Sequence, residues 1–174
     1  YYFFFIDVDE CARGSHNCNS SRASCTNTVG SFSCSCNNPY VGDGRTCINI
    51  PNDCKNNYTS LNSADRKVTY TTLHRYCDNG IGPGWFRFEG SAGTRMPTSC
   101  PPYNRCGTSA PGWLNGSHPT VADGQVTRTV CFHYNGNCCY WSSNIKVRNC
   151  ASYYVYYLNG TPSGQCHLRY CGTN

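Results

Sequence analysis

No stretch of this 174-residue sequence is apolar for the length of a membrane-crossing helix, and no segment keeps a helical hydrophobic period. The first absence excludes a helical transmembrane segment within these residues, and the second predicts little helix. Charge is sparse: 13% of residues are Asp, Glu, Lys or Arg. The fourteen Lys and Arg stand singly or in pairs, Arg66-Lys67 being the densest, so the net charge of +5 gathers into no basic run. That argues against nucleic acid as a partner and leaves room only for weak affinity to acidic glycans or anionic surfaces. Catalytic signatures are missing as well. The histidines His16, His74, His118, His133 and His167 have no zinc-site spacing, and there is neither a nucleophile elbow nor a phosphate loop. His118 is the best-placed polar residue, yet turn geometry and packing explain its surroundings more simply. The sequence reads as a non-enzyme.

Cysteine is what the sequence has in abundance: sixteen, in one group of six and one of ten. An even set at this density belongs to an oxidising compartment, where covalent bridges replace apolar burial, so the chain reads as secreted and extracellular. Two clusters predict a small disulfide-rich domain joined to a larger one. The boundaries fall at 1–6 for an exposed aromatic strand, 7–47 for the small domain, 48–53 for a short linker and 54–174 for the ten-cysteine domain. The opening residues lack the basic start and cleavage site of a signal peptide, so the chain reads as already processed or incomplete.

In the first group, Cys11, Cys18, Cys25, Cys34, Cys36 and Cys47 are separated by turn-forming Gly, Asn, Ser and Pro. Spacing alone leaves their pairing open. Cys34-Ser35-Cys36 and the Tyr40-Val41-Gly42 turn before Cys47 resemble the EGF-like family. The resemblance implies bridges from Cys11 to Cys25, Cys18 to Cys34 and Cys36 to Cys47. Each would stabilise the domain by roughly 3 kcal/mol on chain-entropy grounds.

Two separated segments point to calcium. Asp7-Val8-Asp9-Glu10-Cys11 concentrates acids at the domain entrance, and residues 25–36 resemble the calcium-binding EGF pattern with its Asn and carbonyl loop. Calcium is a hard cation that takes six to eight oxygens, so carboxylates, an amide and backbone carbonyls suit it. The resemblance implies the side chains of Asp7, Glu10 and Asn27 and the carbonyls of Val8, Thr28 and Ser31 as ligands, with Asp9 facing solvent or supporting the site. Extracellular sites of this type have dissociation constants on the order of 10⁻⁴ to 10⁻³ M. The ion would be structural and would fix the direction in which residues 1–6 enter the domain.

Beyond the linker, residues 67–73, 85–88, 125–134, 145–148 and 153–158 are rich in β-branched and aromatic side chains and read as strands. The ten cysteines predict five internal bridges, and adjacent Cys138 and Cys139 are expected to bond to different partners. Trp85-Phe86-Arg87-Phe88, Gly93-Thr94-Arg95-Met96-Pro97, Pro111-Gly112-Trp113-Leu114-Asn115-Gly116, Ile145-Lys146-Val147-Arg148-Asn149-Cys150 and Tyr170-Cys171 resemble the cysteine-rich domain of the uromodulin family. In that family the domain follows EGF-like modules and precedes a polymerising zona pellucida module. No such module lies within these 174 residues.

Sequons at Asn19, Asn57, Asn115 and Asn159 predict N-linked glycans, Pro162 making the last the weakest signal. Tyr1, Tyr2, Phe3, Phe4, Phe5 and Ile6 carry no charge and no Pro. Extended, six residues span about 20 Å, the length of an ordinary strand. Burying four of those side chains would contribute on the order of 6 to 12 kcal/mol before ordering costs. Inserted into a neighbouring subunit, such a strand makes a head-to-tail contact that does not close, which builds an open fibril. The alternative is an ectodomain fragment that presents glycans, as a decoy for microbial lectins, or binds a partner without self-assembly.

Overall fold

The computed structural model describes residues 7–55, 57–162 and 166–174. The chain divides between Pro51 and Asn52 into two compact units.

The N-terminal unit begins with a one-turn helix, α1 (Glu10–Arg13). The Ala12 N–H donates to the Asp9 side chain at 2.8 Å, and Gly14 ends the turn at φ 67°, in the left-handed region that glycine tolerates. Strands β1 (Ala23–Thr28) and β2 (Ser31–Cys36) form an antiparallel hairpin with Thr28 opposite Ser31. A second small pair joins β3 (Tyr40–Gly42) to β4 (Cys47–Asn49). Bridges connect Cys11 with Cys25, Cys18 with Cys34 and Cys36 with Cys47. Among the described residues of this unit the only buried apolar side chains are Cys18 and Cys47, so covalent bridges hold the fold where a core would otherwise be needed.

The second unit is one seven-stranded sheet. Its strands are β5 (Thr59–Leu61), β6 (Gly84–Phe88), β7 (Ala110–Asn115), β8 (Gln125–Tyr134), β9 (Asn137–Asn149), β10 (Tyr154–Leu158) and β11 (Leu168–Tyr170). They lie in the order β11-β7-β8-β9-β10-β6-β5. The long central pairs are antiparallel, while each edge is a three-residue strand in parallel register, β11 on β7 and β5 on β6. Along β9, Trp141, Ser143, Ile145 and Val147 turn inward and alternate with exposed Ser142, Asn144 and Lys146, the period-two pattern of a sheet with one face on the core. That core gathers Phe88, Met96, Leu114, Val130, Phe132, Val147, Tyr156, Leu158 and Tyr170. The whole chain is therefore β-dominated and disulfide-rich, with α1 as its only described α-helix.

Several expectations about single segments need correction. Residues 67–73 form no strand: Lys67 makes only an isolated bridge to Gly172, and the Tyr70 N–H turns back onto the Lys67 carbonyl. The Tyr70 carbonyl then accepts from Cys106 N–H, so local turns and a long-range tie use the backbone groups a ladder would need. Residues 145–148 are only the end of thirteen-residue β9. Strand β7 escapes sequence reading because Pro111-Gly112 looks like a turn. A Cβ at Gly112 would lie 2.7 Å from the Phe132 ring and 2.9 Å from the Arg169 carbonyl, so the glycine serves close packing.

Four bridges are closed in this unit: Cys54–Cys150, Cys100–Cys138, Cys106–Cys171 and Cys131–Cys139. Cys138 and Cys139 thus have different partners. Where five closed bridges were expected, the remaining pair, Cys77 and Cys166, stand within hydrogen-bonding reach of each other's side chains.

Candidate calcium site and glycan attachment sites

The β1–β2 hairpin and the start of α1 bring the acidic entrance against the Asn27 loop. The Asn27 amide Nδ2 donates to Asp7 Oδ2 at 2.8 Å, and the Gly30 N–H donates to Asp7 Oδ1 at 2.6 Å. These two donors, the Gly30 amide foremost, hold the Asp7 carboxyl below the usual range. Each carboxylate oxygen keeps a further lone pair for a cation. Thr28 and Ser31 face each other across the closing turn of the hairpin, so both carbonyls belong to one short loop. Val8 lies between Asp7 and the α1 cap.

Glu10, the first residue of α1, supplies the most telling group. Its Oε2 is buried and makes no hydrogen bond. A buried carboxylate oxygen without a partner is costly, and a hard cation is one way of satisfying it. Asp9 is otherwise engaged, as the cap of α1. The oxygen donors of this corner fit calcium. The contact from Gly30 was not foreseen in the sequence; the Val29-Gly30 turn between the two strands was its only signal. Two other groupings, His16 with Cys18 and Cys25, and His133 with Cys100 and Cys138, contain sulfurs tied up in disulfides and supply no thiolate pair.

Asn57, Asn115 and Asn159 are exposed. Asn19 is half-buried, and its Oδ1 accepts from the backbone N–H groups of Ser21 and Arg22. Tyr1, Tyr2, Phe3, Phe4, Phe5 and Ile6 lie outside the described residues. His118, the best-placed histidine in the sequence, is packed between Tyr154 and Tyr156. The Tyr156 hydroxyl accepts from the Met96 N–H at 3.0 Å and shares a hydrogen bond with His118 Nε2 at 2.8 Å. Burial, aided by Arg95 and Arg128, lowers the His118 pKa to about 4.

Comparison with known proteins places both units. A calcium-binding EGF domain model matches residues 7–47, and a uromodulin-like domain model matches residues 86–172. Neither describes an enzyme. Uromodulin of Mus musculus is 40% identical over 95% of this chain and 35% of its own length. The pancreatic secretory granule membrane major glycoprotein GP2 of Canis lupus familiaris is 44% identical over 86% of this chain and 28% of its own, and that of Homo sapiens 40% over 78% and 24%. The chain spans about a quarter to a third of the length of these relatives. It is a secreted, extracellular, disulfide-rich protein. No described helix is long and apolar enough to cross a membrane. With a calcium-binding EGF domain ahead of its β-sheet unit, the chain belongs to the uromodulin-like domain family.

Proposed function

We propose that this chain is a calcium-binding structural glycoprotein of the extracellular space that assembles head-to-tail into fibrils or matrix and catalyses no reaction. Calcium is held by the side chains of Asp7, Glu10 and Asn27 and the carbonyls of Val8, Thr28 and Ser31. The observation that carries this ligand set is the buried Glu10 oxygen without a hydrogen bond, on the turn beside the Asp7–Asn27 contact. The bound ion supplies charge neutralisation and cross-linking of the entrance to the hairpin. Residues 1–6 then leave a fixed point, and their aromatic side chains are buried in a neighbouring subunit. The bridges keep each subunit stiff and resistant to proteolysis.

Electron microscopy of the secreted protein, beside a version lacking residues 1–6, tests the reading with calcium and with a chelator. Filaments formed only by the full chain, more abundant or straighter with calcium, support it. Dispersed monomers throughout overturn it.

A second reading is favoured by the exposure of Asn57, Asn115 and Asn159: a module that displays N-linked glycans to lectins without self-assembly. Monomers that bind a mannose-specific bacterial lectin, and lose it on enzymatic deglycosylation, would favour that account.

A further inference from the structure

A cleft of about 610 Å³ opens beside the β8–β9 turn, walled on one side by the 103–109 loop and on the other by the tip of the hairpin. Two tyrosines line it with unusually exposed rings, Tyr103 at 58% and Tyr134 at 41%. Both rings are braced from behind. Tyr103 stands edge-on to His133, and Tyr134 packs on Tyr140 and Trp141. The walls are joined covalently: Cys100–Cys138 ties the loop to the hairpin, Cys106–Cys171 holds the far end of the loop, and Cys131–Cys139 crosses the hairpin itself. The platform is pre-organised, and a ligand need not order it.

The polar groups between the rings have a definite character. Arg75, Asn104, Asn135 and Ser109 line the same space. Among the described residues, neither the Asn104 nor the Asn135 amide makes a side-chain hydrogen bond, so both remain available to a ligand. Arg75 is exposed at φ 55°, a left-handed conformation that a long side chain adopts only under constraint.

Arg75 also has no acid to answer it. The second unit contains five carboxylates. Four are paired with other arginines: Asp53 with Arg148, Asp65 with Arg169, Asp78 with Arg66 and Glu89 with Arg87. The fifth, Asp123, accepts from Thr120. The cleft therefore has one cation, no anion, two flat apolar faces and two amides.

We propose that this cleft binds the carboxylate-bearing terminal sugar of an acidic glycan. The apolar C–H face of a pyranose ring lies on Tyr103 or Tyr134, the carboxylate meets Arg75, and ring hydroxyls exchange hydrogen bonds with Asn104 and Asn135. A cleft of this volume accommodates a short oligosaccharide. A purely aliphatic partner would leave the arginine and amides unanswered, and a metal ion would find no carboxylate.

The test uses the secreted protein in calcium buffer after sialidase treatment, so that its own sugars do not compete. Sialyllactose and lactose are titrated separately by NMR, following the tyrosine ring signals and ligand saturation transfer. The expected result is sialyllactose binding on the order of millimolar, with lactose weaker by at least about tenfold. Arg75→Gln should remove that preference, and the paired substitution Tyr103→Ala with Tyr134→Ala should abolish binding of both sugars. These side chains are exposed, and unchanged disulfide mapping and circular dichroism would verify that the variants fold. No binding of sialyllactose or of a glucuronide at several times that concentration, equal binding of lactose, or binding that survives both variants overturns the proposal. So does occupation of the cleft by a protein partner without any sugar signal.

Discussion

The amide of Asn27 reaches back to the carboxylate of Asp7 at 2.8 Å, joining the entrance of the first unit to the middle of its hairpin. Twenty residues separate the two positions in the chain. The same carboxylate also takes the Gly30 N–H, so one acid organises the corner at which calcium is proposed to bind.

Substituting this corner should lower calcium affinity without breaking the bridges. Glu10→Gln and Asn27→Ala are each expected to weaken calcium binding by at least about tenfold, read by isothermal titration calorimetry, because the first removes a ligand's negative charge and the second removes an oxygen ligand from a small set. In wild-type protein, chelation should lower the melting temperature of the first unit. Unchanged affinity in both variants would remove Glu10 and Asn27 from the ligand set.

The same acid sets a pH limit. The Asp7 pKa is lowered by folding, chiefly through the Gly30 N–H and then Asn27. Its contribution is complete above the unfolded value near 3.8 and is lost as pH falls through the lower folded value. Chemical-shift titration of the Asp7 carboxyl should show a midpoint below 3.8. Asn27→Ala should move it upward.

His118 acts at the milder end of the acid range. Its native pKa of about 4 lies below the ordinary 6.5, so the unfolded chain takes up the proton first. Stability is therefore full above pH 6.5 and falls as pH drops from there toward 4. Allowing for the partial exposure of the ring, the loss is on the order of 1 to 2 kcal/mol. Thermal melts at pH 7 and pH 4.5 should differ by several degrees for this reason, and His118→Gln should flatten that part of the profile.

Asp78 is the least replaceable acid. It is 4% exposed, accepts from both terminal nitrogens of Arg66 at 2.7 Å and from the Tyr170 N–H at 2.9 Å. Asp78→Ala strands a largely covered arginine, 12% exposed, and an edge-strand amide, which should cost about 3 to 5 kcal/mol. Urea denaturation would measure it. A loss under about 1 kcal/mol would mean that water replaces the carboxylate.

Cys77 and Cys166 face one another while the other fourteen cysteines are bridged. Peptide mapping of the secreted protein without reduction should recover a Cys77–Cys166 crosslink and no alkylated thiol. Recovery of two alkylated peptides would instead show a reduced pair.

The sequence was legible where chemistry leaves a local mark. Cysteine spacing, the acids beside Asn27 and the β-branched and aromatic runs of β8 and β10 all lie within short windows, and the β-dominated, disulfide-rich class followed from them. Non-local features were hidden. Strand β7 was not foreseen, because the ring of Phe132 and the backbone of Arg169, which demand Gly112, come from distant strands. The edge strands β5 and β11 are three residues each and carry no periodicity to detect. Nothing near Glu10 in the sequence indicates that one of its oxygens is buried without a partner.

The bridges of the sheet unit also determine how it responds to tension. Pulled between Cys54 and Cys171, the load passes through the Cys54–Cys150 bond directly to the end of β9. Cys171 is also tied back through Cys106, so the load divides between the stretch of about 21 residues from Cys150 to Cys171 and a route of similar length through Cys106, Cys100–Cys138 and the end of β9, and neither extends beyond roughly 70 Å. Strands β6, β7 and β8 lie off both routes and are shielded once these are taut. Even with its sheet torn open, the unit would behave as a short, nearly inextensible tether.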